Sequence, residues 1–174
     1  MKIIQLYRHY IEEKKLLNEL IKTSKKIRHN NFPSIVSEHM ASRVLMNQWR
    51  LTDKEIFRPE YGDLAVKISP NITKRIEVKC FSSNGPITFG PDEPWNYLVL
   101  IDARKCMQNE FLVYLVNYAN DSRTIKNLKV NKTQTFGLQC NQRRRPHISP
   151  TSLFNQLGDK VKLLCKGTFE KLMK

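Results

Sequence analysis

Near residue 60 the hydrophobic period of this chain changes from helical to alternating, and that change sets the order of its elements. Upstream, Ile4, Leu6, Ile11, Leu16, Leu17, Leu20, Ile21 and Ile27 recur at helical spacing among lysines and glutamates, predicting an amphipathic helix over 3–29. Asn30-Asn31-Phe32-Pro33 stops it, and Ser34 is the expected N-cap of a second helix at about 35–50. That helix turns Ile35, Val36, Met40, Val44 and Leu45 toward a core, with Glu38 in its first turns. Thr52–Tyr61 reads as a loop broken by Pro59. Beyond it, Leu64, Val66 and Ile68 alternate with Asp63, Ala65 and Lys67, a strand over 62–69. Pro70-Asn71-Ile72-Thr73 is turn chemistry and Lys74–Phe81 a second strand, so the two should form a hairpin.

The segment Ser82–Pro94 is polar, holds three prolines and two glycines, and reads as a loop. Asn96–Asp102 and Glu110–Tyr118 are apolar runs of strand length, the pattern of buried central strands. Thr133–Leu138 is expected as a further strand and Ser149–Leu157 as a capped helix with Pro150 at its start. Leu163–Phe169 either closes a sheet edge or forms another helix. Helices, then strands, then mixed elements describe an α/β (α+β) domain with a mixed central sheet flanked by helices. At 174 residues the chain is one domain long. It divides into an amphipathic helix (1–30), a core (34–118) and a basic part (119–174).

The longest apolar stretches, Tyr97–Ile101 and Phe111–Val116, are far too short to span a bilayer. Met1-Lys2-Ile3-Ile4 runs directly into charge and lacks the apolar stretch of a signal peptide, so a cytoplasmic protein with no membrane partner is expected. Cys80, Cys106, Cys140 and Cys165 form no close pair and read as reduced structural thiols. His9, His29, His39 and His147 share no spacing, which gives no support to a histidine metal site.

The formal charge is +14, and most of it lies late in the chain. Residues 123–174 carry twelve Lys/Arg against two acids, whereas the preceding 122 residues carry eighteen against fourteen. A polyanion is the natural partner of the C-terminal third, although a solvated basic face has the same composition.

Chemistry is concentrated on the hairpin. Glu77 and Lys79 are two residues apart on one strand and therefore share a face, while Val78 points to the core. Asp63 on the partner strand lies across from them. Two carboxylates beside the Val78 backbone carbonyl are oxygen donors suited to Mg²⁺, which usually keeps several waters as well. A metal so held lowers the pKa of bound water and stabilises a leaving oxygen in phosphodiester hydrolysis. Lys79 would orient or help deprotonate the attacking water, and Glu38 would hold a metal-bound water. Spacing alone is weak, because Glu-x-Lys also occurs at Glu12–Lys14 and Glu13–Lys15, on a charged helix. The same residues also suit a cross-strand ion pair.

Glu38 on a helix, Tyr61-Gly62-Asp63, a hairpin, Ile76-Glu77-Val78-Lys79-Cys80 and the strand Trp95–Asp102 together resemble the PD-(D/E)xK nuclease superfamily, to which many type II restriction endonucleases belong. The resemblance covers roughly Ser34–Tyr118, with Gly62 where the motif has proline. It implies a restriction-endonuclease-like mixed sheet flanked by helices, a nuclease domain spanning 1–174, Mg²⁺ at the sheet's edge, and Asp63, Glu77, Lys79 and Glu38 as active-site residues.

For reading DNA, the densest candidate is Asn141-Gln142-Arg143-Arg144-Arg145-Pro146-His147. Arginine pairs bidentately with guanine, and Asn or Gln with adenine. Three adjacent arginines cannot all face one way, so one or two reach bases and the rest phosphates, or all hold phosphate. Ser82, Ser83 and Asn84 follow the catalytic strand and are placed for backbone or minor-groove contacts near the cut. Lys126, Lys129, Lys132 and Gln134 are further phosphate candidates, and Trp95 reads as core or rim.

Cutting both strands of a palindromic site calls for a twofold dimer, and the N-terminal helix is a candidate interface unless it packs on its own domain. The leading expectation is a homodimeric type II restriction endonuclease on double-stranded DNA, with a cognate methyltransferase in the same system. A shape-selective repair or recombination nuclease and a non-catalytic basic nucleic-acid binder are the alternatives.

Overall fold

The computed structural model describes residues 2–23 and 31–174. Its centre is a six-stranded sheet in the order β1-β2-β3-β5-β6-β8. The strands are β1 (Ile56–Phe57), β2 (Leu64–Ser69), β3 (Ile72–Phe81), β5 (Tyr97–Asp102), β6 (Phe111–Val116) and β8 (Val161–Gly167). Only β3 and β5 run parallel among its neighbours, so the sheet is mixed, as expected. Two short strands, β4 (Ile87–Thr88) and β7 (His147–Ile148), form a separate antiparallel ribbon.

Alternation of side chains divides the core into two layers. Ile76, Val78, Val99, Ile101, Phe111 and Val113 pack under α1 (Ile3–Thr23), α2 (Ser34–Trp49) and α6 (Phe169–Leu172). Phe81, Leu98, Leu100 and Val116 point the other way, under α3 (Arg123–Lys126), α4 (Phe136–Asn141) and α5 (Pro150–Leu157). Trp95 is buried in this second layer and is a core residue.

The hairpin is as expected: β2 and β3 pair antiparallel from Ser69↔Ile72 to Leu64↔Ile76, with a bulge between Lys67 and Ser69. Ser149 caps α5, its side chain accepting from Ser152 N, and Pro150 opens the helix. Three expectations are corrected. Ser34 is not the cap of α2: Pro33 occupies that position, its carbonyl accepting from Val36 N and Ser37 N at 3.1 Å each, and Ser34 begins the helix. Thr133–Leu138 is not a strand. Thr135 accepts from Leu138 N and starts α4, because a threonine there satisfies an orphan amide, and the extended trace is a lone Lys129↔Thr135 bridge. The loop expected over 52–61 contains β1, whose two residues are too few for a sequence period to register.

The open segment 163–169 resolves as an edge strand, β8, followed by α6. Helix α1 ends at Thr23, and its expected extension to 29 lies outside the described residues. Tyr7, Tyr10 and Lys14 make its buried face, while Leu16 is 62% exposed. No helix among the described residues is long and apolar enough to cross a membrane, and all four cysteines are free.

Candidate active site

Strand β2 begins at Leu64, paired with Ile76, two residues short of Val78, where β3 still needs a partner. Gly62 adopts φ +91°, a conformation closed to proline, and this turn delivers Asp63 beyond the last rung. The glycine that departs from the resembled motif is therefore required by the backbone here. Asp63 Oδ2 then accepts from Val78 N at 2.7 Å, so a side chain continues the ladder where the strand has ended.

The same alternation aims the Val78 carbonyl. Arg75 O and Phe81 O accept from Asn96 N and Ala103 N on the β5 side. Val78, at an even position between them, directs its amide and carbonyl to the opposite side, past the end of β2. Carbonyl and Asp63 carboxylate thus meet at one sheet edge.

Glu77 is 5% exposed and its Oε1 lies 2.5 Å from Lys79 Nζ, so the two point along one face. Lys79 Nζ also stands 5.7 Å from the centroid of the Phe89 ring. Burial raises the Glu77 carboxyl above its ordinary value; Lys79 pulls it back down, and the charges of Asp63 and Glu93 add to the rise. Glu38, from α2, is raised first by burial and then by Asp63, with Arg58 opposing. Its Oε2 lies 3.0 Å from Arg58 Nη2, within ion-pair distance although not aligned as a hydrogen bond.

Glu38, Asp63, Val78, Lys79, Ser82 and Ser83 line one open groove of about 510 Å³. The four residues singled out for catalysis therefore come to one place. Among the described residues, no three His, Cys, Asp or Glu side chains stand close enough to enclose a metal ion by themselves. The donor set is instead two carboxylates and a carbonyl, and Mg²⁺, which keeps several waters, fits it. The charge of Asp63 raises the carboxyls of both Glu38 and Glu77, so a cation is favourable here.

The candidate DNA-reading residues form a second group. Asn141 and Gln142 close α4, and Arg143, Arg144, Arg145 and His147 are all exposed. Arg143 sits at φ 55°, which turns the chain out of the helix, and Arg144 N donates to Gln139 O at 2.9 Å. A line of amides follows: Gln139 Nε2 donates to Gln134 Oε1 at 3.0 Å, and Gln134 Nε2 to Gln142 Oε1 at 3.3 Å. Lys132 is exposed in the preceding turn.

This group is tied to the groove. Thr88 pairs with His147 in the β4–β7 ribbon, their side chains 2.9 Å apart, and Phe89 N donates to Pro146 O at 3.0 Å. Phe89 meets Phe136 of α4 edge-on at 5.4 Å. Thus the loop after the catalytic strand and the arginine segment are strand partners.

Sequence reasoning missed Arg58, Glu93, Phe89 and the pair Asp102–Arg104. Each acts across a loop, where no period shows what faces what. Asp102-x-Arg104 at the end of an apolar strand was the available signal.

A mixed sheet with helices on both faces, carrying acids and a lysine at the edge of a hairpin, defines a restriction-endonuclease-like α/β protein. The Bsp6I restriction endonuclease family matches residues 1–156, which include both groups of residues. Type II restriction enzyme Bsp6I of Bacillus sp. (strain RFL6) is 31% identical over 150 residues, spanning 83% of this chain and 76% of that relative. No solved structure matches. The chain belongs to the Bsp6I restriction endonuclease family and is a site-specific nuclease of a restriction system. The family places it apart from the non-catalytic binder and the shape-selective nuclease that its residues had also allowed.

Proposed function

We propose that this enzyme hydrolyses phosphodiester bonds of double-stranded DNA at a short specific site, with Mg²⁺ and a PD-(D/E)xK active site. The observation that carries the reading is that Asp63, Lys79 and Glu38 line one groove of a restriction endonuclease, with Glu77 paired to Lys79 beside it. Asp63, Glu77 and the Val78 carbonyl would hold Mg²⁺, which supplies activation of a bound water and stabilisation of the leaving oxygen. Lys79 Nζ, placed by the Glu77 carboxylate, orients the attacking water and offsets phosphate charge. Glu38, set by Arg58, accepts from a water in the groove.

Ser82, Ser83 and Asn84 contact the backbone near the cut. Asn141, Gln142, Arg143, Arg144, Arg145 and His147 read the duplex, with Lys132 and Gln134 on phosphates. A homodimer supplies a second site for the second strand, with the outer face of α1 as candidate interface, and a cognate methyltransferase protects host DNA.

The test incubates wild type and Lys79→Ala with long unmodified duplex, with Mg²⁺ or chelator. Discrete fragments that need Mg²⁺ and vanish in the variant are the expected result. Cleavage unaffected by chelator, or retained by Lys79→Ala, overturns the assignment.

A further inference from the structure

Beyond Lys79 the same face of β3 carries a guanidinium that the site above does not use. We propose that Arg104 is a DNA-binding residue, a preset fork for the phosphate neighbouring the one cut. The inference rests on the duplex-DNA reading above.

Glu77, Lys79 and Phe81 share a face, each two-residue step advancing about 6.6 Å along the strand. Phe81 pairs with Asp102 at the ends of β3 and β5. The Arg104 guanidinium carbon stands 5.4 Å from the Phe81 ring centroid, so this cation comes next in line after Glu77 and Lys79. Arg104 thus covers the residue one such step beyond Lys79, on the side where the next phosphate of a bound strand would lie.

Arg104 is held rigidly. Its Nε donates to Asp102 Oδ1 at 2.9 Å and Oδ2 at 3.2 Å, and Nη2 to Oδ2 at 2.6 Å. Its backbone N–H also donates to Asp102 Oδ1, at 3.0 Å. Nη1 donates to Asn84 Oδ1 at 2.7 Å. A guanidinium has five N–H donors, so these contacts leave one on Nη1 and one on Nη2. These two N–H groups remain free to donate to phosphate oxygens.

Burial is divided between the partners in the way a binding fork needs. The Asp102 side chain is 8% exposed, the Arg104 side chain 41%. An ion pair that served only to close the strand ends would have no need to reach Asn84. Asn84 Oδ1 accepts from Arg104, which leaves its amide nitrogen as a further donor. One buried carboxylate therefore sets two donor groups beside the groove.

The test measures how duplex binding without metal depends on salt, for wild type, Arg104→Ala and Asp102→Asn. Losing one phosphate contact makes the slope of log affinity against log salt shallower by about 0.9. That change is expected for Arg104→Ala, with weaker binding. Asp102→Asn keeps the cation and is expected to keep the slope. Arg104→Ala leaves Asp102 buried and unpaired, so the double variant Asp102→Asn/Arg104→Gln, a neutral hydrogen-bonding pair, is measured beside it and should show the same loss. An unchanged slope in both Arg104 variants, or an equal loss in Asp102→Asn, overturns the inference. Cleavage by wild type with Mg²⁺ is scored separately. If cleavage is absent while the slopes behave as stated, the catalytic reading fails and this one stands. If wild type binds no duplex, both fail.

Discussion

Asp63 serves the fold and, in the proposed mechanism, the site through one side chain, and two substitutions separate these roles. Both Asp63→Asn and Asp63→Ala remove the negative charge that raises the Glu77 and Glu38 carboxyls. Only alanine also removes the acceptor that holds Val78 N at 2.7 Å. The stability difference between the two variants therefore isolates that hydrogen bond from the electrostatics around it. Val78 is buried and its bond to Asp63 is part-buried at the groove, so water replaces the lost acceptor only in part. Leaving a buried donor without a partner costs about 1–3 kcal/mol. In a chain of this size each kcal/mol shifts the melting temperature by about 2–4 °C, so Asp63→Ala should melt roughly 2–12 °C below Asp63→Asn. Thermal unfolding followed by circular dichroism in chelator gives the comparison, and a cleavage assay with Mg²⁺ should find both variants inactive. Equal melting temperatures would show that the carboxylate does not replace a rung of the sheet. Cleavage by Asp63→Asn would show that its charge is not needed for metal.

Glu77→Gln should change how stability depends on pH. Burial raises the folded pKa of Glu77 above 4.5, so its contribution is fully present at low pH and lost as pH rises through that raised value. Metal-free wild type should accordingly gain stability relative to Glu77→Gln as pH falls from neutral toward 4.5, which denaturant titrations at several pH values check. Phe89→Leu keeps an apolar but smaller side chain at this fully buried position and costs about 1–2 kcal/mol. It removes the ring face beside Lys79 and loosens the contact with Phe136, so cleavage should slow more than metal-free duplex binding weakens, read from single-turnover rates and gel shifts.

The sheet was legible because its strands carry a period of two or a bounded apolar run, and the Asp63–Glu77–Lys79 convergence followed from the hairpin register. Helix α5 was legible from Ser149 and Pro150, which act locally. Thr135 was misread because a β-branched residue suits both a strand and a helix cap, and only the tertiary setting of Phe136 decides between them. The Asp63–Val78 hydrogen bond depends on where β2 stops, and the positive φ of Gly62 sets that point; no side-chain pattern encodes it. Arg104 escaped notice because its meaning comes from Asn84, twenty residues away in a loop. The reading of Arg143–Arg145 stayed general for a related reason: one backbone turn at Arg143 decides which arginine faces where.

The β4–β7 ribbon bears on how such an enzyme could acquire a new target. A reading element attached by a plain linker could be exchanged as a cassette. Here the arginine segment begins on a helix whose Phe136 is core, and ends in a strand bonded to the loop that follows Lys79. Grafting 141–147 alone would carry neither Phe136 nor Thr88, and the transplanted segment would lose its foothold. On the proposed reading, new specificity in this scaffold is reached by changing single exposed side chains on a fixed backbone. The spacing between the proposed reading residues and the proposed cutting residues is then inherited along with the fold.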